Sequence, residues 1–111
     1  MSTTQPVTKA ISKNKTSQKW LVITNKDYFA GCLLARLDLP TDKLAQLAGG
    51  TNPDAYRDEE NGYDGWSVTG TYDGEPFDIY TRWGMPRIGG EPDRLDVDGL
   101  IADLTAAVNA L

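Results

Sequence analysis

Apolar positions change period repeatedly along this chain, and the changes outline its elements. Residues 19–24, Lys-Trp-Leu-Val-Ile-Thr, are a short run of large and β-branched side chains between polar segments, the pattern of a buried strand. Phe29, Leu33 and Leu37, with Cys32 beside them, then keep helical spacing, with Thr24 and Asp27 in capping-box positions ahead of them and Pro40 as the stop. Thr41 caps a shorter helix with Leu44, Leu47 and Ala48 inward, closed by the left-handed conformation open to Gly49 and Gly50. Val97, Leu100, Ile101, Leu104, Val108 and Leu111 form one stripe of a C-terminal helix that Asp96 caps.

Between these helices the period shortens to that of strands. Trp66 to Tyr72 and Glu75 to Trp83 flank Asp73-Gly74, a strong signal for a two-residue hairpin turn. Pairing Tyr72 with Glu75 sets Gly70 opposite Phe77, Val68 opposite Ile79 and Trp66 opposite Thr81. One face then carries Trp66, Val68, Phe77, Ile79 and Trp83 toward a core, and the other carries Ser67, Thr69, Thr71, Asp78, Tyr80 and Arg82. Pro76 donates no ladder hydrogen bond, so it belongs on an edge strand or in the first residues of its strand. Residues 50–65 read as a long acidic loop, and Arg82 to Pro92, with Gly84, Pro86, Gly89 and Gly90, as an irregular stretch. The expected fold is α+β: a three-stranded, mostly antiparallel sheet, strand 19–24 beside hairpin 66–83, with two or three helices on one face.

Charge divides the chain. Four of the eleven cations, Lys9, Lys13, Lys15 and Lys19, lie in the first 19 residues with no acid, leaving seven against sixteen acids, a net charge of −9, over residues 20–111. Residues 1–18, rich in Ser, Thr, Lys, Gln and Asn, bury too little to repay ordering and read as a disordered basic tail, with residues 19–111 as one domain. An acidic body repels phosphate backbones, which argues against direct nucleic-acid binding by the domain. No apolar run suits a signal peptide or a membrane span, so a cytoplasmic protein with no membrane partner is expected.

Candidate chemistry is sparse. The chain has no histidine and one cysteine, which removes Ser-His and Cys-His nucleophiles, histidine metal sites and an intramolecular disulfide. Cys32, among Phe29, Leu33 and Ala35, reads as a small core residue. Asp58, Glu59, Glu60 and Asp64 sit in a loop, where the fixed separation that acid-base work needs is hard to hold. Neither they nor Asp93, Asp96 and Asp98 have calcium-loop spacing. The expectation is therefore a non-enzyme with no cofactor and no metal. What remains is a surface of Asp78, Tyr80, Arg82, Trp83, Met85 and Arg87, types enriched at interface centres, followed by Gly89 and Gly90, whose backbone amides suit a small anion.

Phe77, Ile79 and Tyr80, followed by Ile88, Gly89 and Gly90, resemble an aromatic-x-Ile-Tyr strand and Ile-Gly-Gly pair of small uncharacterised bacteriophage proteins. The likeness covers residues 66–90. It implies a phage-encoded accessory protein acting inside a bacterial host on host machinery or a host defence. The first functional expectation is thus a binding protein that modulates a host protein. The alternatives are a protein that sequesters a small anionic ligand or nucleotide with Arg82, Arg87, Gly89 and Gly90 against Trp83, and an acidic mimic of DNA.

Overall fold

The computed structural model describes residues 9–13, 19–25, 32–50 and 57–111, the first segment and Arg57 as backbone alone. Its strands are β1 (Lys9–Lys13), β2 (Trp20–Ile23), β3 (Leu33–Arg36), β4 (Arg57–Asp58), β5 (Tyr63–Tyr72), β6 (Glu75–Arg82) and β7 (Met85–Gly90), and its helices α1 (Thr41–Ala48) and α2 (Val97–Asn109). A single 3-10 turn, Glu59–Asn61, leads into β5. Among the described residues no helix is long and apolar enough to cross a membrane.

The class is α+β, but the sheet is larger than the three strands expected. Five strands form its body in the order β2-β5-β6-β7-β3, each antiparallel to its neighbours; β1 adds outside β2 and the two-residue β4 pairs with β5, making seven. β1 falls within the segment expected as a basic tail.

Two corrections account for the added strands in the body. Arg82 to Gly90 is not irregular: Trp83 (φ 54°) and Gly84 (φ 76°) make a second two-residue turn with positive φ at both positions, and β7 returns along β6. Cys32 to Leu37 is not helical either, because β7 captures Leu33–Arg36 as an edge strand, and Cys32 is exposed. The helical reading of Asp27 and Phe29 lies outside the described residues.

The two turns share a pattern, Asp73-Gly74-Glu75-Pro76 and Trp83-Gly84-Met85-Pro86. In each, proline opposes a residue one step in from the turn, Thr71 for Pro76 and Thr81 for Pro86. That step is a pair that exchanges no hydrogen bonds across the hairpin, so the missing N–H breaks no rung. β6 is therefore a central strand, with Pro76 at its second residue.

The hairpin register follows expectation as far as Val68–Ile79, Gly70–Phe77 and Tyr72–Glu75. Beyond Ser67 it shifts, so that Tyr63 rather than Gly65 stands opposite Arg82 and Trp66 loses its place opposite Thr81. Gly65 (φ 84°) takes the bulge, and the Asp64 carboxylate accepts from Trp66 N–H and the Thr81 hydroxyl.

The core lies between one sheet face (Leu21, Ile23, Val68, Tyr72, Phe77, Ile79, Ile88) and the inward sides of α1 (Leu44, Leu47, Ala48) and α2 (Leu100, Leu104, Ala107, Val108). Pro40, not Thr41, occupies the cap position of α1, whose other end closes through left-handed Gly49 as expected. Asp96 does cap α2, accepting from Gly99 N–H at 3.1 Å, whereas Leu111 lies beyond the helix and is exposed. α2 is fixed to the sheet by polar contacts as well. The Tyr72 hydroxyl donates to the buried Asp103 carboxylate at 2.6 Å, and Lys19, preceding β2, pairs with Asp96 at 2.9 Å.

Two stability predictions follow from these contacts. Tyr72→Phe leaves the Asp103 carboxylate, whose other oxygen already has no partner, without its donor. The expected loss is roughly 1–3 kcal/mol by urea unfolding, largely recovered when Asp103→Leu is added; a neutral single variant would contradict the contact. The Lys19 hydrogen bond, then the Gly99 N–H, lower the Asp96 pKa, and the Asp96 hydrogen bond raises that of Lys19. The stabilisation from Asp96 is thus present above its unfolded value and lost as pH falls through the depressed folded one. That from Lys19 is present below its unfolded value and lost as pH rises through the raised folded one. The difference in melting temperature between the native chain and Asp96→Asn should be fullest from about pH 4 to about pH 10 and close outside that window; a pH-independent difference would assign the effect to capping geometry alone.

Candidate functional site

The face of the sheet away from the helices carries the expected site in three rows. Tyr63, Arg82 and Met85 are successive cross-strand partners on β5, β6 and β7, Ser67, Tyr80, Arg87 and Arg36 form the next row, ending on β3, and Thr69, Asp78, Gly89 and Leu33 the third. Most of this polar face is not open. Ser67, Thr69, Asp78 and Tyr80 are buried, Arg82 and Arg87 half-buried, and only its Met85 and Arg36 end and Leu33 are exposed. A face of hydroxyls and a carboxylate thus serves as interior, against the expectation that Asp78 and Tyr80 present themselves to a partner.

Trp83 departs from expectation in the opposite sense. Placed with the core by alternation, it occupies the first turn position between β6 and β7 and is 64% exposed, with Met85 beside it at 47%. Its backbone N–H donates to the Gly62 carbonyl at 2.8 Å, and the preceding residue, Arg82, donates from Nε to the Asn61 carbonyl at 2.8 Å. The Glu59–Asn61 turn is therefore a bracket for the β6-β7 turn. Gly62 (φ 84°) closes that bracket, and a Cβ built on it would run into the indole ring of Trp83. The bracket itself is braced by Asn61, whose amide donates to Asp58 at 2.7 Å. The acidic run expected in a long loop instead lies on this short turn, with Asp58, Glu59 and Glu60 exposed; residues 51–56 of that loop lie outside the described residues.

Behind the turn the side chains stack. The Arg82 guanidinium lies over the Tyr63 ring, 5.0 Å from its centroid, and the Tyr63 and Tyr80 rings are 6.1 Å apart. Burial, then the Asp78 charge, then Tyr63 raise the Tyr80 pKa, so its hydroxyl stays protonated at neutral pH.

Tyr80, Arg82, Met85 and Arg87 thus share one face with Trp83 at its rim, whereas Gly89 and Gly90 are buried in β7 at the far end, and Gly90 faces the core against Leu95 and Leu34. Gly90 N–H donates to the Cys32 carbonyl and Gly89 is paired between β6 and β3, so they form no free cradle of amides, which corrects that part of the expected anion site. Sequence reasoning missed Tyr63, Gly62 and Arg36. The Asp64-Gly65 pair, within the stretch read as a long acidic loop, is the available signal for the bulge that sets Tyr63 opposite Arg82.

Among the described residues no three His, Cys, Asp or Glu side chains converge on a metal position. Asp78 and Asp103 are buried, so these two carboxylates of the acidic body do not line a surface.

Gly62→Ala should strain the left-handed backbone and push the Trp83 indole off the bracket. The expected outcome is a loss of roughly 1–3 kcal/mol in stability together with stronger acrylamide quenching of tryptophan emission; unchanged quenching would separate the indole from Gly62. Compared with known proteins, the chain matches no family model, no curated protein and no solved structure.

Proposed function

We propose that this chain is a non-enzymatic binding protein whose contact point is the Trp83 turn, with Met85 and Arg82 beside it, and that it is a phage-type accessory protein whose partner is a protein of a bacterial host. The observation that carries this reading is the conformation and exposure of Trp83. A non-glycine residue at positive φ costs of order 1–3 kcal/mol, and the first position of such a turn favours Asn, Asp or Gly. Here it holds the largest side chain there is, mostly in water, on a turn bracketed by hydrogen bonds to Asn61 and Gly62. Folding alone favours neither the strain nor the exposed indole. Binding favours both, because a rigidly presented tryptophan fills a partner pocket with little loss of side-chain freedom.

The opposed effects of one substitution test this. Trp83→Asn gives the turn its preferred Asn-Gly pair, so stability should hold or rise by roughly 1 kcal/mol in urea unfolding. The same variant should fail to retain, from a lysate of a bacterial host, a protein that the native chain retains. Retention by both chains, or loss of stability without loss of retention, would refute the reading.

A further inference from the structure

The same face poses a separate question at Arg36 and Arg87. These residues stand directly opposite each other on β3 and β7, on one face of the sheet. Like charges at such positions repel. Arg87 is half-buried, and among the described residues no acceptor reaches its buried Nε. Arg82, the third cation of this face, differs: Asn61 and Tyr63 engage it. A guanidinium nitrogen withdrawn from water without an acceptor is a net loss of free energy. Residues 20–111 hold sixteen acids for seven cations, so pairing acids are abundant, but the acid nearest in register, Asp78 opposite Gly89, is fully buried with interactions of its own.

We infer that Arg36 and Arg87 together bind a dianionic oxyanion of the phosphate type. Two guanidinium forks supply parallel N–H donors to oxygen, and their joint charge of +2 is matched by a phosphoryl group rather than by one carboxylate. The exposed Arg36 meets the ion from solvent, and the half-buried Arg87 offers it the open part of its guanidinium from the facing strand. Tyr80, between Ser67 and Arg87 in the same row, is protonated and adds no opposing charge. This site uses neither Trp83 nor Met85, so it stands or falls independently of the protein-binding turn.

The test compares inorganic phosphate with chloride at matched ionic strength, using thermal unfolding of the full chain and the arginine Nε–H resonances in nitrogen-15 NMR. Phosphate should raise the melting temperature saturably by several degrees and shift the Arg87 Nε–H signal. Arg36→Gln should weaken phosphate binding at least tenfold, yet in chloride melt no lower than the native chain, because it removes the repulsion. That second result is one a merely structural arginine would not produce. Arg87→Gln should abolish the phosphate effect, and because Arg36 is exposed, its variant carries the test should Arg87→Gln unfold. An arm with adenosine monophosphate identifies the source: an effect equal to phosphate assigns the site to phosphoryl esters, and an effect of phosphate alone to the free ion. No saturable effect of either, or the same gain in Arg36→Gln as in the native chain, overturns the inference.

Discussion

Everything in this structure hangs on β6 being paired along both edges. Asp73-Gly74 delivers it from β5 and Trp83-Gly84 passes it on to β7, so one eight-residue strand sets the register of the three central strands. Phe77 and Ile79 go to the helices, and Asp78 and Tyr80 to the opposite side. Two-residue turns leave no slack, and a slip by one residue would exchange those two sets of side chains. The prolines two residues beyond each glycine respect the same constraint, since they stand where the hairpin asks for no donor.

The legible parts of the fold were those whose local preferences agree with their tertiary setting. Asp73-Gly74 announces its turn, the spacing of Leu100, Leu104 and Val108 announces α2, Gly49 and Gly50 announce the end of α1, and the β-branched run at Val22 and Ile23 announces β2. β7 was hidden because Met-Pro-Arg-Ile-Gly-Gly contains one β-branched residue, and because tryptophan is a poor signal for a left-handed turn position. β3 was hidden for a related reason: Leu33, Leu34 and Ala35 suit a helix, and only a partner strand some fifty residues away makes them extended.

The face on which Asp78, Tyr80 and Arg82 lie is legible in the sequence, and its exposure is not. Alternation assigns residues to two faces but says nothing about which face meets water, so the polar face of Ser67, Asp78 and Tyr80 reads as surface from the sequence. In the same way alternation places Trp83 inward, because it carries no sign of the turn there. Arg36 could not be found at all from its neighbours in the chain, since it joins Arg87 only through the β3-β7 pairing. The site departs from local rules at two points, an aromatic at positive φ and arginines face to face, and such departures concentrate where a structure is shaped by something besides its own stability.

The long range of the β3-β7 pairing carries a kinetic meaning. The two tight hairpins close loops of two residues, whereas joining Arg36 to Arg87 encloses the whole of α1, β4, β5 and β6. Loop-closure entropy weighs on that step about as heavily as on the β2-β5 pairing and far more than on the hairpins, and the strand it secures is four residues long, bulged and at an edge. Opening of β3 from β7 is then a low-lying fluctuation of an otherwise closed sheet, one that separates the two arginines while leaving the Trp83 turn intact. Amide exchange that is faster at Leu33–Arg36 than along β6 would be the visible trace of that hierarchy.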